Sequence, residues 1–287
     1  MKHLSIYKKY LKNELKFPNA VKLETLKCDI CNKRNYEIIS FKSLLNSKKQ
    51  KYIYFPTSIC KTCGHAQQIF RFSKNFYKYY YTNSLSANTT IKKYDNVRIK
   101  NNIKRGEVLL NFLEKKFKVK FKDHKILDIG CGYGGMLQAF KKKGCEVVGI
   151  DPDGRSVNIG KKILKNIDLR VIEAEKIKFK KNYFDLIIIN GSLEHVFDPN
   201  IVIKKVYKYL KNKSYLFLEG KGYPLDKKEN YFNFSHQRLF TELGFTNICS
   251  KFKIFKLRSS YISPLNKLKM SFASKGHKNY AKLKNNI

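Results

Sequence analysis

Ile126-Leu127-Asp128-Ile129-Gly130-Cys131-Gly132-Tyr133-Gly134-Gly135 decides how this chain folds. Lys125 to Ile129 are a short, largely apolar run of the kind that lies buried in a parallel sheet. Glycines follow at 130, 132, 134 and 135, and Met136-Leu137-Gln138-Ala139-Phe140-Lys141 opens a helical pattern. A strand, a glycine turn and a helix start bring backbone N–H groups up to a ligand, because no Cβ stands in the way. A second apolar run, Glu146-Val147-Val148-Gly149-Ile150, ends in Asp151. A carboxylate closing the second strand, about twenty residues past the turn, is placed to accept two ribose hydroxyls. Dinucleotide dehydrogenases use the same logic, but their turn reads G-x-G-x-x-G without an acid before it.

Outward from this unit, strands and helices alternate. Strand 124–129, helix 134–143, strand 145–150, helix 154–165, strand 168–173 and strand 184–190 come first. Helix 199–211, strand 214–219, helix 236–243 and strand segments within 246–260 follow. Such alternation predicts an α/β fold with a doubly wound, mostly parallel, Rossmann-like sheet and a ligand at the carboxyl ends of its strands. Ahead of it, 91–117 reads as a long helix with an apolar stripe at Val97, Ile103, Val108, Leu109, Phe112 and Leu113. Residues 1–24 read as a short amphipathic helix, and the acid-free stretch 265–287 beyond Pro264 as a basic, partly disordered tail.

Cys28-Asp29-Ile30-Cys31 and Cys60-Lys61-Thr62-Cys63-Gly64 are two C-x-x-C knuckles separated by strand-like runs. Each turns two sulfurs toward one point, so a facing pair offers a tetrahedral four-thiolate site suited to Zn²⁺. Four protein ligands close the coordination sphere, which makes the expected metal structural and leaves His65 no position to fill. Cys131, Cys145 and Cys249 read as small buried residues. The aromatic run from Phe76 to Tyr81 either lines a substrate mouth or packs the ribbon onto the main domain.

The chain has 287 residues and a formal charge of +38. That charge raises nucleic acid as a partner. It comes from 52 Lys and only 8 Arg, spread along the whole sequence, whereas arginine is the residue that forks onto phosphates and guanine edges. Nucleic acid is therefore not the favoured partner. No apolar run is long enough to span a bilayer and the N-terminus lacks a signal-peptide core, so the expectation is a cytoplasmic protein without a transmembrane segment.

Asp128-x-Gly130-x-Gly132-x-Gly134 resembles motif I of class I S-adenosylmethionine (SAM) methyltransferases, and Gly149-Ile150-Asp151-Pro152-Asp153 resembles their second motif. The resemblance implies a seven-stranded sheet and SAM held by Asp128, Gly130, Cys131, Gly132, Gly134, Asp151, Pro152, Glu173, Ala174 and Asn190. In that family an acid at the position of Glu173 accepts the adenine amino group. The loop Gly191-Ser192-Leu193-Glu194-His195 leaves the fourth strand at the carboxyl edge, where a histidine can take a proton from an attacking hydroxyl. Glu194 and His195 are thus the candidate catalytic residues. Asn190-Gly191-Ser192 stands where exocyclic-amine methyltransferases carry Asn/Asp-Pro-Pro-Tyr, which argues against nucleobase-amine methylation.

A four-cysteine ribbon on such a domain, followed by Tyr79-Tyr80-Tyr81, resembles the zinc-binding branch of sugar methyltransferases, over residues 25–250. The best-known members methylate nucleotide-linked deoxysugars at carbon. Their Glu-His before Phe-Ser appears here as Glu229-Asn230 before Phe234-Ser235, which shifts the expectation from carbon to oxygen. The expected organisation is an N-terminal helix (1–24), a zinc ribbon (25–72), a linker and leading helix (73–122), a SAM-binding domain (123–262) and a basic tail (263–287). The expected function is SAM-dependent O-methylation of a sugar or nucleotide-sugar in surface-glycan biosynthesis. The alternative is an rRNA or tRNA methyltransferase that grips RNA through the ribbon and its lysines, and a third reading is a non-catalytic module with a degenerate SAM fold.

Overall fold

The computed structural model describes residues 24–46, 51–79, 92–220, 236–240, 242–250, 257–260 and 278–282. The expected helix over 1–24 lies outside these residues, except for Glu24. The first unit holds β1 (Glu24–Thr25), the long hairpin β2 (Tyr36–Asn46) and β3 (Lys51–Cys60), then β4 (Ala66–Gln68) and β5 (Phe70–Arg71). Helices α1 (Lys74–Tyr79) and α2 (Lys92–Phe117) lead into the sheet domain. There β6 (Lys125–Ile129), α3 (Leu137–Lys142), β7 (Glu146–Asp151), α4 (Gly154–Ile163) and β8 (Asp168–Val171) form one half. The other half has β9 (Phe184–Asn190), α5 (Pro199–Tyr209), β10 (Leu210–Glu219), β11 (Arg238–Leu239), α6 (Glu242–Ser250), β12 (Leu257–Ser260) and β13 (Lys278–Lys282).

The main sheet runs β12-β13-β10-β9-β6-β7-β8. The five strands from β10 to β8 pair in parallel, and β13 lies antiparallel between β10 and β12. Strand order reverses between β6 and β9, which opens a crevice at their carboxyl ends. Both faces of the central strands are buried, as apolar runs with no polar alternation require. Ile126, Leu186 and Ile188 face α2, α3 and α4 through Leu109, Leu113, Phe140 and Val157. Leu127, Ile129, Ile187 and Ile189 face α5 and α6 through Val202, Val206 and Phe245, and the ribbon's Cys28, Ile30, Cys60 and Cys63 join this second core.

Three expectations shift. Residues 236–243 were expected as a helix, but Arg238 and Leu239 pair antiparallel with Gln67 and Ala66, and the helix begins at Glu242. The backbone here completes a four-stranded sheet of order β11-β4-β3-β2, so the ribbon takes a strand from far along the chain. Residues 278–282, inside the stretch expected as a tail, supply β13 through backbone pairing with Tyr215 to Leu218. On α2, Val97 is exposed, and the contact face carries Ile99, Ile103, Gly106, Leu110 and Leu113.

Gly106 explains that face. A Cβ there would lie 2.2 Å from the Met136 carbonyl oxygen, so only a bare backbone lets α2 lie against the turn after β6. The obstruction is main chain and cannot rotate away, so Gly106→Ala is expected to destabilise the fold by about 1–3 kcal/mol. Thermal denaturation should show a midpoint lowered by roughly 5 °C; an unchanged midpoint would mean that α2 does not rest on this turn.

Candidate active site

A cavity of about 580 Å³ opens at the carboxyl edge where strand order reverses, a volume suited to a small-molecule ligand. It is built around the glycine turn. Gly130 has φ +83, and a Cβ on it would fall 2.4 Å from the Cβ of Ser192. The loop after β9 therefore lies directly on the turn, and Ser192 Oγ donates to the Ile129 carbonyl at 2.7 Å. Gly132 has φ +54 and open space where a side chain would stand. Side chains outside the cavity brace the turn: Tyr133 Oη donates to Asp95 Oδ1 at 2.7 Å, and Arg155 Nη2 pairs with Asp95 Oδ2 at 2.9 Å.

The two acids of the motifs have different tasks. Asp151 accepts the N–H of Gly132 on Oδ2 at 2.9 Å and the N–H of Asp153 on Oδ1 at 2.8 Å. One backbone donor on each oxygen leaves each a further lone pair for a vicinal diol. Asp128 is 2% exposed beneath the turn. Burial pushes its carboxyl up to about 7, the charge of Asp151 adds to this, and Arg105 opposes it.

Of the residues expected at the cofactor, Gly130, Gly132, Asp151, Pro152, Glu173 and Ala174 line the cavity, and so does His195. Asp128, Cys131, Gly134, Asn190 and Glu194 are not in its lining. Cys131 is buried, and its sulfur would meet a Cβ on Gly149 at 2.8 Å. Gly134 packs on Leu169, and Asn190 Nδ2 reaches Met136 Sδ at 3.3 Å. Glu173 is held by Lys176 at 2.8 Å and Lys74 at 3.5 Å. Burial alone would raise this carboxyl, but the hydrogen bond and charge of Lys176, with the charge of Lys74, hold it below its ordinary value. Its Oε2 is buried and takes no hydrogen bond of good geometry among the described residues, and the Lys74 ammonium stands beside this same oxygen at the 3.5 Å ion-pair distance.

Lys74, Tyr77 and Gln237 also line the cavity, and their motifs had not marked them as cofactor residues. Tyr77 belongs to the aromatic run that had raised the question of a substrate mouth, while Tyr80 and Tyr81 lie outside the described residues. Gln237 is fully buried, its Nε2 donating to the His195 carbonyl at 2.9 Å. Beside it, one ligand atom from each of Glu194, His195 and His236 lies within 4.8 Å of the others, and the two imidazole rings are 4.7 Å apart. Nothing in the pattern around His236 distinguished it from a surface residue.

The four knuckle cysteines converge as their spacing predicts. Their sulfurs all lie within 4.8 Å of one another, with Cys28–Cys63 and Cys31–Cys60 both at 3.5 Å. Four thiolates on a tetrahedral Zn²⁺ stand about 3.8 Å apart, so the cluster has the size of such a site. Each knuckle closes the same way: Asn32 (φ 61) donates to the Cys28 carbonyl at 2.9 Å, and Gly64 (φ 69) to that of Cys60 at 2.7 Å. Backbone N–H groups of Ile30 and Cys31 face the Cys28 sulfur, and those of Thr62 and Cys63 face Cys60. His65 lies apart from this group and packs against Phe240. Burial lowers its imidazole to about 4; the charge of Asp29 opposes this, and those of Arg238 and Arg71 add to it.

A family model described as "Methyltransferase domain" matches residues 102–259. The chain belongs to the class I SAM-dependent methyltransferases. This methyltransferase is 35% identical over 113 residues to a ubiquinone biosynthesis O-methyltransferase of Pelagibacter ubique, covering 36% of the chain and 47% of the relative. It is 34% identical over 102 residues to the protein of the same name from Bartonella quintana, covering 34% and 41%. It thus spans less than half the length of these curated relatives. Among solved structures, a Haemonchus contortus phosphoethanolamine N-methyltransferase in complex with SAM matches with a TM-score of 0.51 at 18% identity, over 62% of this chain and 52% of that one. That likeness concerns the fold.

These relatives correct the expected acceptor. Several curated relatives are named for ubiquinone biosynthesis, and another, from Papaver bracteatum, is named as a probable tetrahydroprotoberberine N-methyltransferase; these names point away from sugars, so the sugar acceptor inferred from the ribbon does not stand. No helix among the described residues is long and apolar enough to cross a membrane.

Two binding measurements follow. Asp151→Ala removes two charge-assisted acceptors worth about 1.5–3 kcal/mol each, so calorimetry should show SAM affinity reduced at least thirtyfold; unchanged affinity would remove Asp151 from the site. Asp128, held near 7, is protonated on the acid side, and a cationic ligand favours its charged form. Binding must then expel a proton at low pH, so affinity should rise from about pH 6 to about pH 8 and lose much of that slope in Asp128→Asn.

Proposed function

We propose that this methyltransferase transfers the methyl group of SAM to a hydroxyl oxygen of a small organic acceptor, and that its four-cysteine ribbon holds a structural Zn²⁺. The observation that carries the reading is the Glu194–His195–His236 cluster, with His195 in the lining of the cavity at the carboxyl edge. SAM supplies an electrophilic methyl on a sulfonium whose departing group is a neutral thioether. The protein's share of the work is therefore alignment and removal of one proton. The glycine turn and Asp151 hold the nucleoside end, Glu173 meets the base, and Asp128 offsets positive charge beneath the turn. His195 accepts the hydroxyl proton, with Glu194 and His236 close enough to stabilise the imidazolium that forms. Oxygen is the acceptor atom favoured by this base-bearing site and by the O-methyltransferase names of the relatives.

Cys28, Cys31, Cys60 and Cys63 would hold the metal and fix the ribbon's two knuckles against one another. A closed four-thiolate shell keeps that ion out of the chemistry.

Methyl-labelled SAM should pass label into small hydroxylated organic compounds extracted from cells, and neither into RNA nor into nucleotide-sugars. His195→Ala should lower turnover about 100-fold or more while SAM affinity stays within a few-fold, because general-base catalysis contributes on that scale. Label confined to RNA, or full activity without His195, would reject this assignment. Elemental analysis should find about one zinc per chain, and its removal should lower the melting temperature.

A further inference from the structure

The stretch from Leu193 to Phe197 leaves β9 and carries Glu194 and His195. All five of its consecutive carbonyls are captured. Those of Leu193 and Val196 accept from Arg238 Nη1 at 3.1 and 2.6 Å. That of Glu194 accepts the Gln237 N–H at 3.1 Å, and that of His195 accepts Gln237 Nε2 at 2.9 Å. That of Phe197 accepts from Arg71 Nη1 at 2.7 Å and Arg238 Nη2 at 3.2 Å. Every donor comes from β5 or from the segment of β11, so the carbonyl side of the loop is held by elements outside the SAM-binding sheet, while the N–H groups of Phe197 and Asp198 donate to Glu175 Oε1 at 2.7 and 3.2 Å.

The donors are themselves set by one residue of the first knuckle. Asp29, between Cys28 and Cys31, accepts Arg238 Nε at 2.7 Å and Arg71 Nη2 at 2.9 Å on the same Oδ2. Its N–H donates to Gln67 Oε1 at 2.8 Å, and its carbonyl accepts Asn200 Nδ2 at 2.7 Å. The Arg238 side chain has no exposed surface and the Asp29 side chain is 10% exposed. A guanidinium presents donors in a planar fork, and here that fork spans Asp29 on one side and three loop carbonyls on the other, a pattern that a lysine ammonium cannot reproduce.

We infer that Arg238 is a positioning residue for methyl transfer, and that Asp29 couples the order of the four-cysteine knuckle to the conformation of the Glu194–His195 loop. The coupling rests on the proposed role of that loop only where turnover is the readout. A knuckle that loses its metal lets Asp29 drift, both guanidiniums lose their shared anchor, and the five carbonyls lose their frame.

Hydrogen exchange followed by mass spectrometry on the full chain tests this, zinc-loaded and after chelation, in the unmodified protein, Arg238→Lys and Asp29→Asn. Each substitution should speed exchange across 191–198 by about tenfold or more, while 126–129 and 147–150 stay within about twofold. Chelation should speed exchange of the same loop in the unmodified protein and add little in Asp29→Asn, where the link is already cut. In Arg238→Lys, SAM affinity should hold within about threefold while turnover falls about tenfold or more, a split that general loosening of the fold does not produce. A loop unaffected by Arg238→Lys overturns the positioning role. Chelation that leaves the loop unchanged, or loosens it equally in Asp29→Asn, overturns the coupling. If Asp29→Asn does not fold, Arg71→Lys and the chelation comparison decide it in the same terms. A loop that loosens as expected while His195→Ala retains full turnover supports the coupling and rejects His195 as the base.

Discussion

One carboxylate oxygen shared by two buried guanidiniums fixes how the parts of this molecule meet. Asp29, Arg71 and Arg238 place two cations and one anion where water scarcely reaches. Burying charge is costly, and removing one member of such a set typically costs about 3–5 kcal/mol because its partners are left stranded. The net positive charge that remains is met by carbonyl dipoles from the loop after β9. Burial alone would raise the Asp29 carboxyl, but Arg238 and then Arg71 hold it well below the usual carboxylate range. A depressed carboxyl keeps its stabilising charge above the unfolded pKa of about 4 and loses it only as the pH falls through the folded value. The node is therefore intact across the neutral and mildly acidic range. Apolar side chains could join two domains as firmly, but they would slide more easily, whereas this arrangement admits a single relative placement.

With the ribbon placed, the site is assembled from three directions. The sheet supplies the glycine turn and Asp151, α2 presses on the turn from one side through Gly106, and the β9 loop presses from the other through Ser192. The turn is tightly packed at Gly130 and Gly135, and β7 beneath it at Gly149, each with heavy atoms within 3 Å of where a Cβ would stand, while Gly132 faces open space. Rigidity there suits a reaction whose catalysis consists mostly of alignment.

What was legible in the sequence follows from locality. The strand–glycine–helix unit, the second acid and the two knuckles are short stretches whose spacing carries their geometry: Gly130, Gly132 and Asp151 line one cavity and the four cysteines converge, whereas Asp128, Cys131 and Gly134 lie outside the lining. Five of the six residues of the expected α2 stripe, Ile103, Val108, Leu109, Phe112 and Leu113, do pack on the core, but Val97 is exposed and apolar periodicity passes over the closest contact, which is made at Gly106. Arg238 was unreadable: a fully buried arginine looks like any other basic residue in a lysine-rich chain until its distant partners Asp29 and Phe197 are known. The same holds for β11, whose pairing with β4 is a backbone event without side-chain alternation. The acceptor was misjudged for a different reason. The ribbon carried the resemblance to sugar methyltransferases, but it reports how the domain is braced, while the substrate is set by residues of the cavity.

The use of arginine also bears on the charge of +38. Arg71, Arg155, Arg170 and Arg238 each pair with a carboxylate of the chain itself, and Arg98 lies over the ring of Tyr94. Five of the eight arginines are thus engaged within the protein, three of them at buried or half-buried carboxylates that organise the site. The surface charge that remains is overwhelmingly lysine, strongly hydrated and without the planar fork that recognises phosphate or base edges. A chain selected to grip a polyanion would spend its few arginines outward. Here Arg71 and Arg238 hold the reactive loop and Arg155 braces the glycine turn, while the pairs made by Arg98 and Arg170 are exposed, so the arginines with the most partners serve the site itself.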